Sequence, residues 1–223
     1  AKAIAGQKPG ESLVDTLLLE ADLVFTTQAQ RAGQAAVALA RAEHALAVRQ
    51  FDRARELAAG AGAIFRELEM TASDVGAALL VAECGSLSAQ PRDARDTFAR
   101  LLSRAHEKGL QSIELRALTQ LGHVAGHERD REGARHYFER AIAIVEEQRY
   151  RLGGDDLRHS LLSASLAPYR ELLRLALDDA SGPEQPVAVL LALERFRARA
   201  LADRLGDTTV TQATGNTALD GLQ

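Results

Sequence analysis

Ala54, Ala94 and Ala134 stand forty residues apart, each at the same place in a similar local pattern. Around them read Phe51-Asp52-Arg53-Ala54-Arg55, Pro91-Arg92-Asp93-Ala94-Arg95 and Arg131-Glu132-Gly133-Ala134-Arg135. Four residues on stand Ala58, Phe98 and Phe138, and twelve residues back stand Ala42, Ala82 and Gly122. Small residues recurring in register at a period between about twenty and fifty residues mark a stack of repeated units, each burying its face on the next. Stacks of this kind present extended surfaces and seldom build catalytic pockets.

The rest of the chain agrees with helices. Of its 223 residues about a fifth are Ala, Leu is frequent and Pro occurs only five times. No stretch alternates β-branched and polar residues over strand length, so the expected class is all-α. With aromatics at 4% and no Trp, Ala and Leu must form the core, and Ala lets paired helices approach closely. The net charge of −4 is mild and interspersed, without a basic stripe carrying aromatics, which gives nucleic-acid binding no support. No apolar run approaches the roughly 20 residues that span a bilayer. One cysteine, Cys84, excludes an internal disulfide and fits a reducing compartment, so a cytoplasmic protein is expected. The chain begins with Ala1 and its single Met is Met70, which reads as an excised piece of something longer.

Apolar spacing predicts helices over about 11–25, 30–48, 51–68, 71–87, 91–106, 111–126 and 130–148, after a flexible lead-in at 1–10. Thr26 and Thr27 are expected to break the first helix. Thr71 or Ser73 can cap the fourth, Pro91 suits the first turn of the fifth, and Gly109 is its C-cap. Three hairpins result, 30–68, 71–107 and 111–148, with 11–25 as the second half of a hairpin whose first half lies outside this chain. The repeats occupy 11–149. After Gly153-Gly154 the pattern changes to a long helix that Pro168 should kink or split. A last helix follows at about 185–205. These two form a helical pair over 150–206 that joins to a downstream domain, and 207–223 reads as a linker or disordered tail. About nine helices are expected in all.

The repeats resemble tetratricopeptide repeats. Leu118, Leu121, Gly122, Ala125, Ala134, Phe138 and Ala141 fit that family's pattern, as do Ala82, Gly85, Ala94, Phe98 and Leu101. The first hairpin fits less well, with Ala58 where an aromatic is expected and Arg41 where an aliphatic is. The resemblance implies a right-handed superhelix of antiparallel helical hairpins. It departs in period, forty where about 34 is usual, so the outer helices or the joints are about a turn and a half longer. The segments Leu157-Arg158-His159-Ser160-Leu161, Ala167-Pro168-Tyr169-Arg170-Glu171-Leu172-Leu173 and Leu193 to Leu205, with Arg197-Ala198-Arg199-Ala200-Leu201, are similar to the joining region of CHAT proteins. In that family caspase-like protease domains are associated with tetratricopeptide repeats.

Candidate chemistry is sparse. His123 and His127, one turn apart, could begin a metal site, but zinc wants three or four ligands and none converges. Cys84 inside a helix reads as a small core residue and not a nucleophile. Leu152-Gly153-Gly154-Asp155 lacks the lysine of a P-loop. No cofactor, metal or catalytic group is expected. The concave wall should be lined by the first helix of each hairpin, through Leu39, Glu43 and Leu46, then Leu79, Glu83 and Ser86, then Thr119 and His123, with Arg116 extending the last set. The candidate partner-binding residues are therefore Glu43, Glu83, Arg116, Thr119 and His123, in a groove acidic at one end and basic at the other. Arg195, Arg197, Arg199 and Arg204 are candidates for contact with a neighbouring domain.

The expected function is a non-catalytic interaction or regulatory repeat domain that binds a protein or peptide, possible partners including an adjacent caspase-like protease domain in cis. Alternatives are the sensor arm of a bacterial transcription regulator and a free-standing scaffold adaptor. The oligomeric state stays open.

Overall fold

The computed structural model describes residues 13–87, 93–151 and 158–178, together with Leu190 and Glu194. The described residues are all-α. They form eight helices: α1 (Leu13–Thr27), α2 (Arg31–Ala47), α3 (Phe51–Glu67), α4 (Thr71–Leu87), α5 (Ala94–Glu107), α6 (Gln111–His127), α7 (Arg131–Arg151) and α8 (Arg158–Asp178). The expected lead-in at 1–10, Pro91, the Gly153-Gly154 stop, the helix at 185–205 apart from Leu190 and Glu194, and the tail at 207–223 lie outside the described residues.

The helices account for the long period. α2, α3, α4 and α6 are each 17 residues, about 25 Å of helix, and the joints that link α1 to α4, α5 to α6 and α6 to α7 are three residues each. The extra length therefore lies in the helices and not in the joints. Each of these joints places its middle residue in the left-handed region: Ala29 (φ 52°), Arg49 (62°), Glu69 (57°), Gly109 (65°) and Arg129 (62°). They are spaced at twenty or forty residues, so these five joints share one backbone geometry.

The hydrogen bonds repeat too. Gln50 N–H donates to Ala45 C=O at 2.8 Å and Arg49 N–H to Leu46 C=O at 3.0 Å, the Schellman pairing that satisfies a helix's last carbonyls. Gln30 and Ala29, Met70 and Glu69, Leu110 and Gly109, and Asp130 and Arg129 do the same. The residue that closes one helix then accepts the first bond of the next, as in Ala54 N–H to Gln50 C=O at 2.9 Å. Gly109 thus closes α5 as its sequence position suggests, but the other four joints accept the same geometry without glycine.

Two of the expected boundaries change. Thr26 and Thr27 do not break α1, because Thr27 Oγ1 donates back to Val24 C=O at 2.8 Å and the helix continues to the Ala29 turn. Thr71 does not precede α4 as a cap, because the helix's first bond, from Asp74 N–H, goes to Met70 C=O and places Thr71 inside.

The chain divides into two compact units, Ala1–Ala117 and Leu118–Gln223, with the division inside α6. In the first unit α3 packs against both α2 and α4. The core forms rungs that take residues from all three helices. Ala35, Ala61, Phe65 and Ala77 make one, Ala42, Ala58 and Leu80 the next, and Ala45, Ala54 and Cys84 the third. Ala54, fully buried, meets Ala45 and Cys84, and a larger side chain there would have to push these helices apart. Phe65, 2% exposed, is the large anchor of its rung, worth about 1.5–3 kcal/mol in burial.

In the second unit, a Cβ added at Gly122 would run into the Phe138 ring, whereas in the first unit Ala42 shares a rung with Ala58. A larger residue at one position of the register is matched by a smaller one opposite, which keeps the interior filled. Pro168 is not a break: α8 runs unbroken from Arg158 to Asp178 with the ring fully buried. Tyr169, 3% exposed, donates its hydroxyl to the Glu146 carboxylate of α7. That anchoring, together with the packing of α7 on α8, offsets the backbone hydrogen bond a mid-helix proline removes.

Candidate functional site

Three of the five groove residues converge. Glu43 stands on α2, Glu83 on α4 and Arg116 on α6, all within the first unit. Arg116 Nη2 donates to Glu83 Oε2 at 2.7 Å and Nη1 to Glu43 Oε1 at 3.4 Å. Burial opposes the guanidinium charge, but Glu83 and then Glu43 outweigh it and raise the Arg116 pKa above its ordinary range. The side chains are exposed to 54% at Glu43, 37% at Arg116 and 5% at Glu83. Glu83 is therefore the buried anchor of the arginine and not an open groove side chain. Glu43 is the exposed and more loosely held member.

A second set of polar side chains crosses the joints from α1 to α2, α3 to α4 and α5 to α6. Gln34 Nε2 donates to Thr26 Oγ1 at 3.3 Å, Arg66 Nη2 donates to Asp74 Oδ1 at 3.0 Å, and His106 Nδ1 lies 3.0 Å from Glu114 Oε1. Each pair spans eight residues, and the pairs are forty apart. The middle one is the most buried. Asp74, 2% exposed, also accepts from Arg104 Nη2 of α5 at 2.7 Å, so it ties α3, α4 and α5 together. The recurring polar residues at 34, 74 and 114 are the sequence signal for these staples, and sequence reasoning missed them.

Arg41, the misfit of the first hairpin, donates to Asp22 Oδ2 at 3.0 Å and to Leu18 C=O at 3.4 Å. It replaces an aliphatic contact by tying α2 to α1. Cys84 is 1% exposed, and burial first and the Glu83 charge second push its thiol pKa up, which disfavours the reactive thiolate.

Thr119 and His123 belong to the second unit. His123 lies edge-on to Phe138, ring centroids 5.6 Å apart, with Nδ1 3.9 Å from Glu171 Oε2. Its pKa is lowered, chiefly by burial; Glu171 opposes this, while Arg174, His127 and Arg170 add to it. His123 and His127 line a cleft of about 530 Å³ with Arg129, Arg131 and Arg174 against Asp178. Arg131 Nη2 donates to Leu175 C=O at 3.2 Å and Arg174 Nε to Glu171 Oε2 at 3.1 Å, so two of these arginines serve α8 itself. Among the described residues no group of three or more His, Cys, Asp or Glu is placed to hold a metal ion. Among them, too, no helix is long and apolar enough to cross a membrane. Arg195, Arg197, Arg199 and Arg204 lie outside the described residues.

No protein-family model and no curated protein matches the chain. Among solved structures it is similar to BtubC (BKLC) from P. vanneervenii, at 15% identity over 96% of this chain and 94% of that one, with a TM-score of 0.49.

Proposed function

We propose that this chain is a non-catalytic, tetratricopeptide-like interaction segment of a cytoplasmic protein, and that it binds a basic stretch of a protein partner at Glu43. The observation that carries this reading is the bridge Glu43–Arg116–Glu83. Two carboxylates around one guanidinium leave a net charge of −1, and the exposed, loosely held acid is the one that an incoming Lys or Arg meets first. Glu83 keeps Arg116 in place when Glu43 turns to a partner, so the site is organised before binding. The CHAT-like segments at 157–205 favour a caspase-like protease domain of the same polypeptide as that partner, which the repeats would position or restrain.

The test uses the natural full-length polypeptide with a photo-reactive residue in place of exposed Ala47, one turn from Glu43 on α2, with and without Glu43→Gln. The expected crosslinks join position 47 to a Lys- or Arg-bearing segment, fade as salt rises and are lost with Glu43→Gln, and their position in the sequence says whether the partner is in cis. Crosslinks no more specific than those from a photo-reactive residue at exposed Glu56 would sink the proposal.

A further inference from the structure

We propose that α1 is a docking surface for a second copy of this chain. The argument starts from the forty-residue register, in which α1 corresponds to α3, α5 and α7. Leu19 corresponds to Ala59, Ala99 and Glu139, and Leu23 to Ala63, Ser103 and Ala143. All six of those residues are exposed, and they are small or charged as a solvent face requires. Only α1 carries leucine at both positions, 53% exposed at Leu19 and 66% at Leu23. Leu13, also 66% exposed, stands where α3 has Arg53. Missing cover over an ordinary repeat face does not account for this, because these positions face water in every equivalent helix. α1 is tied to its own unit by other side chains, among them Asp22 and Leu18 against Arg41, Thr26 against Gln34 and Phe25 over Gly33.

The neighbouring surface says what covers it. Leu19 itself lines a groove of about 350 Å³, together with Ala45, half-exposed Val48, Arg41, His44, Gln50 and Arg53, so the leucine row runs into it. Arg53 is bonded to the neutral Gln50 at 3.2 Å. The groove thus takes a helix that is leucine-rich and acidic. α1 is such a helix: its charged residues are Asp15, Glu20 and Asp22, with no basic residue among its 15. Asp22 is engaged by Arg41, while Glu20 is exposed. In a two-fold pairing each copy offers the leucines and Glu20 of α1 to the other's groove, so every favourable contact is made twice. The apolar row supplies affinity, and Glu20 facing Arg53 sets the register.

Sedimentation equilibrium on the intact chain tests this, with circular dichroism as the folding control. The wild type should be a dimer in the micromolar range. Leu19→Glu with Leu23→Ser should raise the dissociation constant by about 100-fold or more while leaving the helical signal unchanged. Both replacements already occur in register, at Glu139 and Ser103. Arg53→Glu should weaken the dimer and Glu20→Arg should restore it in the double variant. A monomeric wild type overturns the proposal, including one that pairs only when a different polypeptide is added. So does a dimer indifferent to the leucine changes, or one that Glu20→Arg fails to restore.

Discussion

Replacing Arg49 by glycine should stabilise this protein, although glycine loses more conformational freedom on folding than any other residue. Arg49 sits at φ 62°, where an L-residue costs about 1–2 kcal/mol because Cβ crowds the following carbonyl. Glycine removes that cost but adds freedom to the unfolded chain, which takes back about 0.5–1 kcal/mol. The net gain is about 0.5–1 kcal/mol per joint. Glu69 (φ 57°) and Arg129 (φ 62°) are equivalent and also exposed, so little packing is lost with their side chains. Combined, Arg49→Gly, Glu69→Gly and Arg129→Gly should add about 2 kcal/mol, since well-separated sites are nearly additive. For a chain of this size that raises Tm by roughly 4–8 °C. Gly109→Ala, at φ 65°, should instead lower stability by about 1 kcal/mol. Thermal melts followed by circular dichroism give the global answer. Alkylation of buried Cys84 gives a local one, because its thiol is reached only when the third rung opens. If Arg49→Gly lowers Tm and Gly109→Ala raises it, as in a right-handed turn, the joints do not have this geometry.

Two further perturbations separate the polar contributions. Asp74→Ala should cost about 1–2 kcal/mol, because its partners Arg66 and Arg104, 70% and 45% exposed, simply return to water. Removing both arginines should cost about 3–5 kcal/mol, because the buried carboxylate is then stranded, and urea titrations that rank these variants the other way would refute the assignment. At His123 the folded-state pKa lies below the ordinary 6.5, so stability is fully present above that value and is lost as pH falls from there towards the folded pKa. His123→Gln should therefore flatten the fall in Tm over the acid side of pH 6.5, and an unchanged pH profile would show that the ring is not shielded.

What the sequence disclosed depended on whether a role demands one residue type. Ala54, Ala94 and Ala134 were legible because the rung that takes Ala45, Ala54 and Cys84 excludes anything large, so the constraint is written in the residue itself. The joints were not legible in the same way. Ala29, Arg49, Glu69 and Arg129 share one backbone conformation with Gly109 and have no side-chain feature in common. A three-residue joint closed by Schellman bonds is specified by main-chain groups, which every residue except proline carries.

The staples show the intermediate case. Thr26 with Gln34, Arg66 with Asp74 and His106 with Glu114 fill one geometric role with a hydroxyl and an amide, a guanidinium and a carboxylate, and an imidazole and a carboxylate. Only the need for a polar pair eight residues apart is fixed, so identity matching passes over it. Glu83 failed for the opposite reason. Register placed it on α4 where α2 has Glu43, but register cannot distinguish an acid that faces water from one held beneath an arginine thirty-three residues away. That distinction rests on depth: Glu83 is 4% exposed, and the cation that satisfies its carboxylate, Arg116, comes from the next alternate helix. Paired depth, and not the repeat count, is therefore what leaves Glu43 as the one acid of the bridge free to turn towards a partner without stranding a buried charge.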